Sequence, residues 1–150
     1  MKYRNEVVVA VARSEFIKKL DDPNNMKHWQ RGLQRASQLN GVPGQEGAQM
    51  QLEYQMGKRN VEMVETIIKR AFPDEFYATY ETQGVYNLQK NYFIELDENS
   101  TKWVSESEFR FSSIGMKLMG WLMPGAFKKQ SQKYLEDFKN FAEKGTSVNK

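Results

Sequence analysis

The sequence has no cysteine, one histidine and four prolines in 150 residues. Without cysteine the chain has no disulfide, no thiolate nucleophile and no cysteine metal site, so it needs no oxidising compartment and a cytoplasmic location is expected. A lone imidazole, that of His28, cannot form a metal site unless other ligands converge on it, and a surface position is the simpler interpretation. We therefore expect neither a metal nor another cofactor.

Long hydrophobic runs are also absent. The apolar run near the N-terminus covers only residues 7–12, which is shorter than the apolar core of a typical signal peptide, roughly 7 to 15 residues. No stretch approaches the roughly 20 residues that a transmembrane helix requires. Neither a signal peptide nor stable membrane insertion is expected.

An excess of charge of one sign is missing as well. The 22 basic and 19 acidic residues give a net charge of +3 and are mixed along the whole chain. The densest basic stretch contains Lys128, Lys129 and Lys133, and Glu136 and Asp137 follow it directly. This mixture is typical of a solvated helix face, so nucleic acid is not an expected partner.

Two common catalytic patterns are not found. Gly115, Gly120 and Gly125 do not follow a strand with the spacing of a phosphate-binding loop, and no Gly-Lys-Ser/Thr sequence occurs. The neighbouring Asp21 and Asp22 could form an acid/base pair, but they lie at a predicted helix end, where capping aspartates are common. Nucleotide binding and a carboxylate pair are therefore not predicted.

What is present is enough for one folded domain. Aromatic residues make up 13% of the chain, and 8 methionines add further large apolar side chains. The length is usual for one domain, and no shift in composition divides the chain. We predict a single domain over residues 1–150, with a frayed tail at 145–150.

Alternating apolar and polar residues with turn dipeptides between them predict an antiparallel sheet of seven strands. Two short helices interrupt the sheet after the first strand, one capped by Ser14 and one by Asp22. The predicted strands cover 3–12, a segment that starts at 33, and 48–56, 61–72, 76–83, 86–96 and 101–111.

A helical pattern follows the last strand. The stripe of Phe127, Ser131, Tyr134, Phe138 and Phe141 recurs at steps of four and three, which places these residues on one face of a helix. This face needs an apolar partner, and the concave face of the sheet is the one large surface available. The Pro124-Gly125 pair is expected to separate residues 114–123 as a short helix or turn of their own.

Short matches along the chain accompany this order of elements, at Ala12, Glu15, Phe16, Ile17, Asp22, Pro23, Trp29, Gly47-Ala48, Phe72-Pro73, Ser100-Thr101, Leu135, Lys139 and Glu143. Together with the order of elements, they resemble the helix-grip superfamily, also called SRPBCC or START-like. The superfamily includes START lipid-transfer domains, birch-pollen-allergen-like plant proteins and polyketide cyclase/dehydrases. Arg13 departs from its pattern, because proline is common at that place. The resemblance implies an α+β fold in which a seven-stranded curved antiparallel sheet wraps around a long C-terminal helix and leaves a hydrophobic pocket.

Methionine and aromatic residues outnumber isoleucine, leucine and valine taken together. Such side chains adapt to irregular or flat ligands, although they also fill ordinary cores. Strand alternation and helical spacing predict which of them face the pocket, while the inward face of residues 61–72 stays ambiguous. The predicted ligand-binding residues are Met50, Leu52, Tyr54, Phe76, Tyr80, Asn91, Trp103, Ser105, Ser107, Phe109, Met116, Met119, Met123 and Phe127.

Three functions fit this pattern. The first hypothesis is a carrier or sensor for a hydrophobic small molecule such as a lipid, an isoprenoid or an aromatic, polyketide-like compound. The second is a polyketide cyclase- or dehydratase-like enzyme that uses the same pocket, and it is less favoured because the inward set contains no secure carboxylate or histidine. The third is an interaction or membrane-surface protein with an exposed patch at Trp121, Leu122 and Met123. The oligomeric state and the ligand are not predicted.

Overall fold

Residues 1–113 and 124–149 are described by a computed structural model of the protein. One strand is followed by two short α-helices with a 3₁₀-helix between them, then by six strands and a long helix. The elements are β1 Lys2–Val9, α1 Arg13–Asp21, a 3₁₀-helix Pro23–Asn25, α2 Met26–Trp29, β2 Leu33–Asn40, β3 Gln49–Met56, β4 Arg59–Ala71, β5 Glu75–Thr82, β6 Val85–Asp97, β7 Ser100–Phe111 and α3 Pro124–Lys144.

The seven strands form one sheet in the order β1-β7-β6-β5-β4-β3-β2. All six neighbouring pairs are antiparallel, and the strands from β2 to β7 are joined to one another by consecutive hairpins. β1 pairs with β7, so the first and last strands lie together at one edge. The predicted antiparallel sheet of seven strands is confirmed.

The first short helix begins differently from the prediction. Ser14 was expected to cap α1, but the helix begins at Arg13 and its N-cap is Ala12, which makes no side-chain capping bond. The amide of Phe16 already bonds the carbonyl of Ala12, so Ser14 lies inside the first turn. The prediction for Asp22 is confirmed, because its side chain accepts a hydrogen bond from the amide of Asn24.

Gly32 brings the segment after α2 against the sheet. Its φ is +84°, and a Cβ atom there would lie 2.5 Å from the carbonyl oxygen of Gln55. The amide of Gln55 donates to the carbonyl of Gly32 at 2.8 Å. Only glycine fits this close approach, and it places α2 beside β3.

Helix α3 packs against β1 and α2. The face of the sheet that α3 covers is called the inner face below. The core is made of aromatic rings from three layers, since Phe138 of α3 lies 4.8 Å from Phe16, 5.3 Å from Trp29 and 5.4 Å from Trp103 between ring centroids. Burial of rings of this size is the main stabilising term of the fold.

Polar contacts fix α3 along β1. Lys139 donates to the carbonyl of Val8 at 2.7 Å, and Glu143 accepts from the amide of Ala10 at 2.7 Å. After the helix, the amide of Val148 donates to the carbonyl of His28. Within residues 1–113 and 124–149, no helix is both long and apolar enough to cross a membrane.

Candidate functional site

The inner face has a closed half that is filled by aromatic rings. Phe93 and Trp103 are 2% and 5% exposed and pack on Phe16 and Phe138. The indole of Trp103 donates to the side-chain oxygen of Asn91 at 2.9 Å. Phe76 also packs against this aromatic cluster, and its carbonyl accepts a hydrogen bond from Asn91. Three predicted ligand-binding residues, Phe76, Asn91 and Trp103, therefore lie in or beside this half.

The other half of the inner face carries a row of residues that crosses five strands. Neighbours in this row are direct partners in the sheet register, and such partners have their side chains on the same face. The β7 end of the row lies on the inner face, because the ring centroid of Phe109 is 5.2 Å from that of Phe127 on α3. This transverse row consists of Met50, Glu65, Tyr80, Asn87 and Phe109.

The transverse row is less tightly enclosed than the aromatic half. Met50, Glu65, Tyr80 and Phe109 are half-buried, whereas Asn87 is buried. Side chains that face the interior and keep accessible surface are what a ligand-binding cavity requires. The row is therefore the best candidate for the site on the described part of the inner face.

Glu65 is a candidate site residue that the sequence analysis did not identify. The inward face of residues 61–72 was ambiguous, and the register places Glu65 opposite Met50 on one side and Tyr80 on the other. The β3–β4 hairpin contains the missing signal. The hairpin closes with the pair Met56 and Arg59. Counting six residues away from the turn along each strand pairs Met50 with Glu65 and so places both on the same face.

Burial determines the protonation of Glu65. Desolvation raises the pKa of the carboxyl group, and the hydrogen bond from the Tyr80 hydroxyl opposes this effect only in part. Among the described residues no cation pairs with Glu65. A carboxyl group in this setting keeps its proton to a higher pH than an exposed glutamate and can donate a hydrogen bond.

Tyr54 and Tyr80 complete the polar cluster. The hydroxyl of Tyr54 is buried and donates to the side-chain oxygen of Gln30 at 2.6 Å. Burial raises the pKa of Tyr54, and the nearby Tyr134 and Glu65 raise it further. The pKa of Tyr80 is raised for the same first reason, with Glu65 adding to the shift. Both tyrosines therefore remain protonated and act as hydrogen-bond donors near Glu65.

Other predicted residues lie around this cluster. Leu52 is fully buried on β3, and Ser105 and Ser107 are buried on β7. Tyr3, the register partner of Ser107, has its hydroxyl 2.7 Å from that of Ser131 on α3. Met116, Met119 and Met123 lie outside the described residues.

The described residues contain no group of three or more histidine, aspartate or glutamate side chains arranged to hold a metal ion. The polar groups of the candidate site are a carboxyl group, two phenols and the carboxamides of Gln30 and Asn87. Such a set can orient a polar group on an otherwise apolar molecule and can move a proton to or from it.

Solved structures match this architecture along nearly its whole length. The chain has the helix-grip fold. The Zhui aromatase/cyclase from a Streptomyces species superposes with a TM-score of 0.75 at 13% identity, over 95% of this chain and 93% of that one. The protein Ara h 8.0201 gives 0.70 at 14% identity, over 95% and 97%. Norcoclaurine synthase from Thalictrum flavum, in complex with dopamine and hydroxybenzaldehyde, gives 0.68 at 14% identity, over 94% and 85%.

The sequence itself shows no comparable similarity. No family model matches the chain, and no curated protein matches its sequence. Identities of 13 and 14% establish a shared fold but do not transfer an activity. The fold expected from the resemblance to the START-like superfamily is confirmed on structural grounds.

Proposed function

We propose that the protein binds a small hydrophobic molecule on the inner face of its sheet, with a polar group of that molecule held by Glu65, Tyr80 and Tyr54. The observation that carries this proposal is the position of Glu65 in the middle of the inner face, where its carboxyl group has no cationic partner among the described residues. A buried carboxyl group destabilises a fold unless something compensates for it, and such groups concentrate at functional sites.

The surroundings of Glu65 support a ligand that is mainly apolar. Met50 and Phe109 lie in the same row and remain half-buried, and Met63 and Val61 follow on β4 towards its hairpin. Flexible thioethers and aromatic rings fit flat or irregular apolar groups. Aromatic compounds are bound by one protein of the same fold, the norcoclaurine synthase complexed with dopamine and hydroxybenzaldehyde. An aromatic or polyketide-like ligand is therefore favoured over a simple alkyl chain.

The neutral fluorescent dye anilinonaphthalene tests this proposal. We expect saturable binding at one site per chain. Met50→Trp should weaken that binding at least tenfold, because the indole fills accessible space beside Glu65. Gln51→Trp is the matched control, since the neighbouring strand residue points to the opposite face of the sheet.

The two variants also separate loss of the site from loss of the fold. Thermal unfolding of Met50→Trp should stay within a few degrees of the parent, because the new ring enters space that is not closely packed. Equal dye affinity in both tryptophan variants would place the ligand elsewhere. Failure of the parent protein to bind the dye in a saturable manner would remove the proposed function.

A second candidate function is acid/base catalysis in the same site. It is favoured by one observation, the contact of the Glu65 carboxyl group with the Tyr80 hydroxyl, because an enzyme needs a titratable group beside its substrate. Glu65→Gln distinguishes the two functions. An enzyme should lose turnover of its substrate by roughly 10² or more while the variant still binds anilinonaphthalene, whereas a carrier should change only in affinity.

A further inference from the structure

A recess lies next to the inner face, between helix α3 and the β3–β4 hairpin. Its volume is about 540 Å³. The hairpin contributes Met56, and α3 contributes Lys129, Lys133 and Tyr134. The recess is called the entrance groove below, because the hydroxyl of Tyr134 donates to the carbonyl of Arg31 at 3.3 Å and the neighbouring Gln30 accepts a hydrogen bond from Tyr54. The groove and the polar cluster around Glu65 are thus joined through residues 30 and 31.

The charges of the entrance groove are unbalanced. Of the described residues that line it, Asp137 alone is acidic. Both of its carboxylate oxygens accept from Arg31, with Nε donating at 3.1 Å and Nη2 at 3.0 Å. Among the described residues neither Lys129 nor Lys133 has an ion-pair or hydrogen-bond partner. The groove therefore carries a net charge of about +2 from these four side chains at neutral pH.

The positive groups are arranged to meet one anion. Lys129 and Lys133 are one helical turn apart, so their side chains lie on the same face of α3 as Asp137. A guanidinium has five N–H donors, and Asp137 uses two of those of Arg31, so three remain for another acceptor. Held by Asp137, which is 8% exposed, Arg31 is fixed in place before any ligand binds.

We propose that the entrance groove binds an oxyanion, a carboxylate or a phosphate, which is attached to the apolar body held by the inner face. The ligand class is thus an amphipathic anion. The apolar part lies by Met50 and Phe109, and the anionic group is bound by Lys129, Lys133 and the free edge of Arg31. This inference rests on the proposed function, because without a ligand on the inner face the groove has nothing to anchor.

Two dyes that differ by one charged group test the inference. Anilinonaphthalene is neutral, and its sulfonate carries one negative charge on the same ring system. In the double variant Lys129→Gln/Lys133→Gln we expect the affinity for the sulfonate to fall about five- to tenfold, as for the loss of two solvent-exposed charge contacts. The affinity for the neutral dye should stay within about twofold of the parent value, because no apolar wall has been removed.

A charge-matched control removes two lysines of α3 that do not line the groove. Lys128→Gln/Lys144→Gln changes the net charge by the same amount, so it reports any general attraction of the anion to the protein. The inference predicts that this variant binds both dyes as the parent does. Equal losses for the sulfonate in the two double variants would show a long-range charge effect and overturn it.

Competition with inorganic phosphate at constant ionic strength separates an attached anion from a free one. The inference predicts no displacement of the sulfonate dye by millimolar phosphate, because a free oxyanion lacks the apolar anchor. Displacement would show a site for free oxyanions and would contradict the proposal. A parent protein that binds the neutral dye, and whose affinity for the sulfonate is unchanged in Lys129→Gln/Lys133→Gln, refutes the inference alone. A parent protein that binds neither dye refutes the proposed function and this inference with it.

Discussion

Glu65 has a position that a globular core normally avoids. It faces the covered side of the sheet, it lies between the side chains of Met50 and Tyr80, and desolvation raises its pKa. Removing a carboxylate from water is unfavourable, so the group keeps its proton to a higher pH than an exposed glutamate does. The same physical fact makes Glu65 useful, because a protonated carboxyl group can both donate and accept hydrogen bonds at a ligand.

The raised pKa of Glu65 predicts a pH dependence of stability. The folded state holds this proton more tightly than the unfolded chain, so the contribution of Glu65 is complete below the ordinary glutamate pKa and is lost as the pH rises through the raised value. Glu65→Gln removes this pH-dependent loss of stability, because glutamine does not ionise. We expect the variant and the parent to unfold at similar temperatures near about pH 4 and the variant to be more stable by a few degrees near about pH 8.

Thermal unfolding followed by circular dichroism across this pH range checks the prediction. Glu81→Gln is the matched control, since Glu81 is the next residue after Tyr80 and is exposed. Its unfolding temperature should follow the parent at every pH. Parallel curves for Glu65→Gln and the parent would mean that Glu65 is solvated like an ordinary surface carboxylate.

Individual residues were predictable where a short pattern determines their face. Alternation on β3 placed Met50, Leu52 and Tyr54 on one side of the strand, and the burial of the last two agrees with this. On β4 the odd-numbered and the even-numbered residues of 61–72 both include apolar and polar side chains, so alternation alone does not show which set faces inward. The hairpin register does choose, and it identifies Glu65.

At the level of elements, the stripe on α3 is the best example of a pattern that determined packing. Phe127 contacts Phe109, the hydroxyl of Ser131 is 2.7 Å from that of Tyr3, and Phe138 meets Trp103. The helix lies where the spacing of its apolar residues predicted.

Helix α2 has only four residues and depends on one side chain for its position. Trp29 is 8% exposed and packs edge-on against Trp103 and Phe138. We expect Trp29→Ala to lower the free energy of unfolding by about 3 to 5 kcal/mol, the usual loss for a large buried aromatic side chain. Trp29→Phe should lose substantially less, because it keeps most of the ring contacts.

Equilibrium unfolding in urea measures this loss. The midpoint should shift strongly for Trp29→Ala while the slope of the transition stays close to that of the parent, which indicates lost stability rather than a changed denatured state. An alanine variant with an unchanged midpoint would mean that α2 is not anchored in the core.

At the level of the whole molecule, the fold could be predicted and the function of each inner side chain could not. Strand alternation, turn dipeptides and the helical stripe together specify one sheet and one covering helix. Alternation reveals which face a side chain occupies, but a packed core and a cavity wall have the same alternation. Trp103 and Phe109 were both placed inward, and the first is enclosed by the aromatic core while the second is half-buried beside Phe127.

The central claim is that the carboxyl group of Glu65 lies at the ligand site of the inner face. Its most direct test is the carbon-13 chemical shift of that carboxyl carbon, assigned by its absence from the spectrum of Glu65→Gln and followed during titration with anilinonaphthalene. We expect the Glu65 signal to move and to saturate with the dissociation constant measured by dye fluorescence, while the carboxyl signal of Glu81 stays in place. A Glu65 signal that does not move while the fluorescence shows full occupancy would contradict the account.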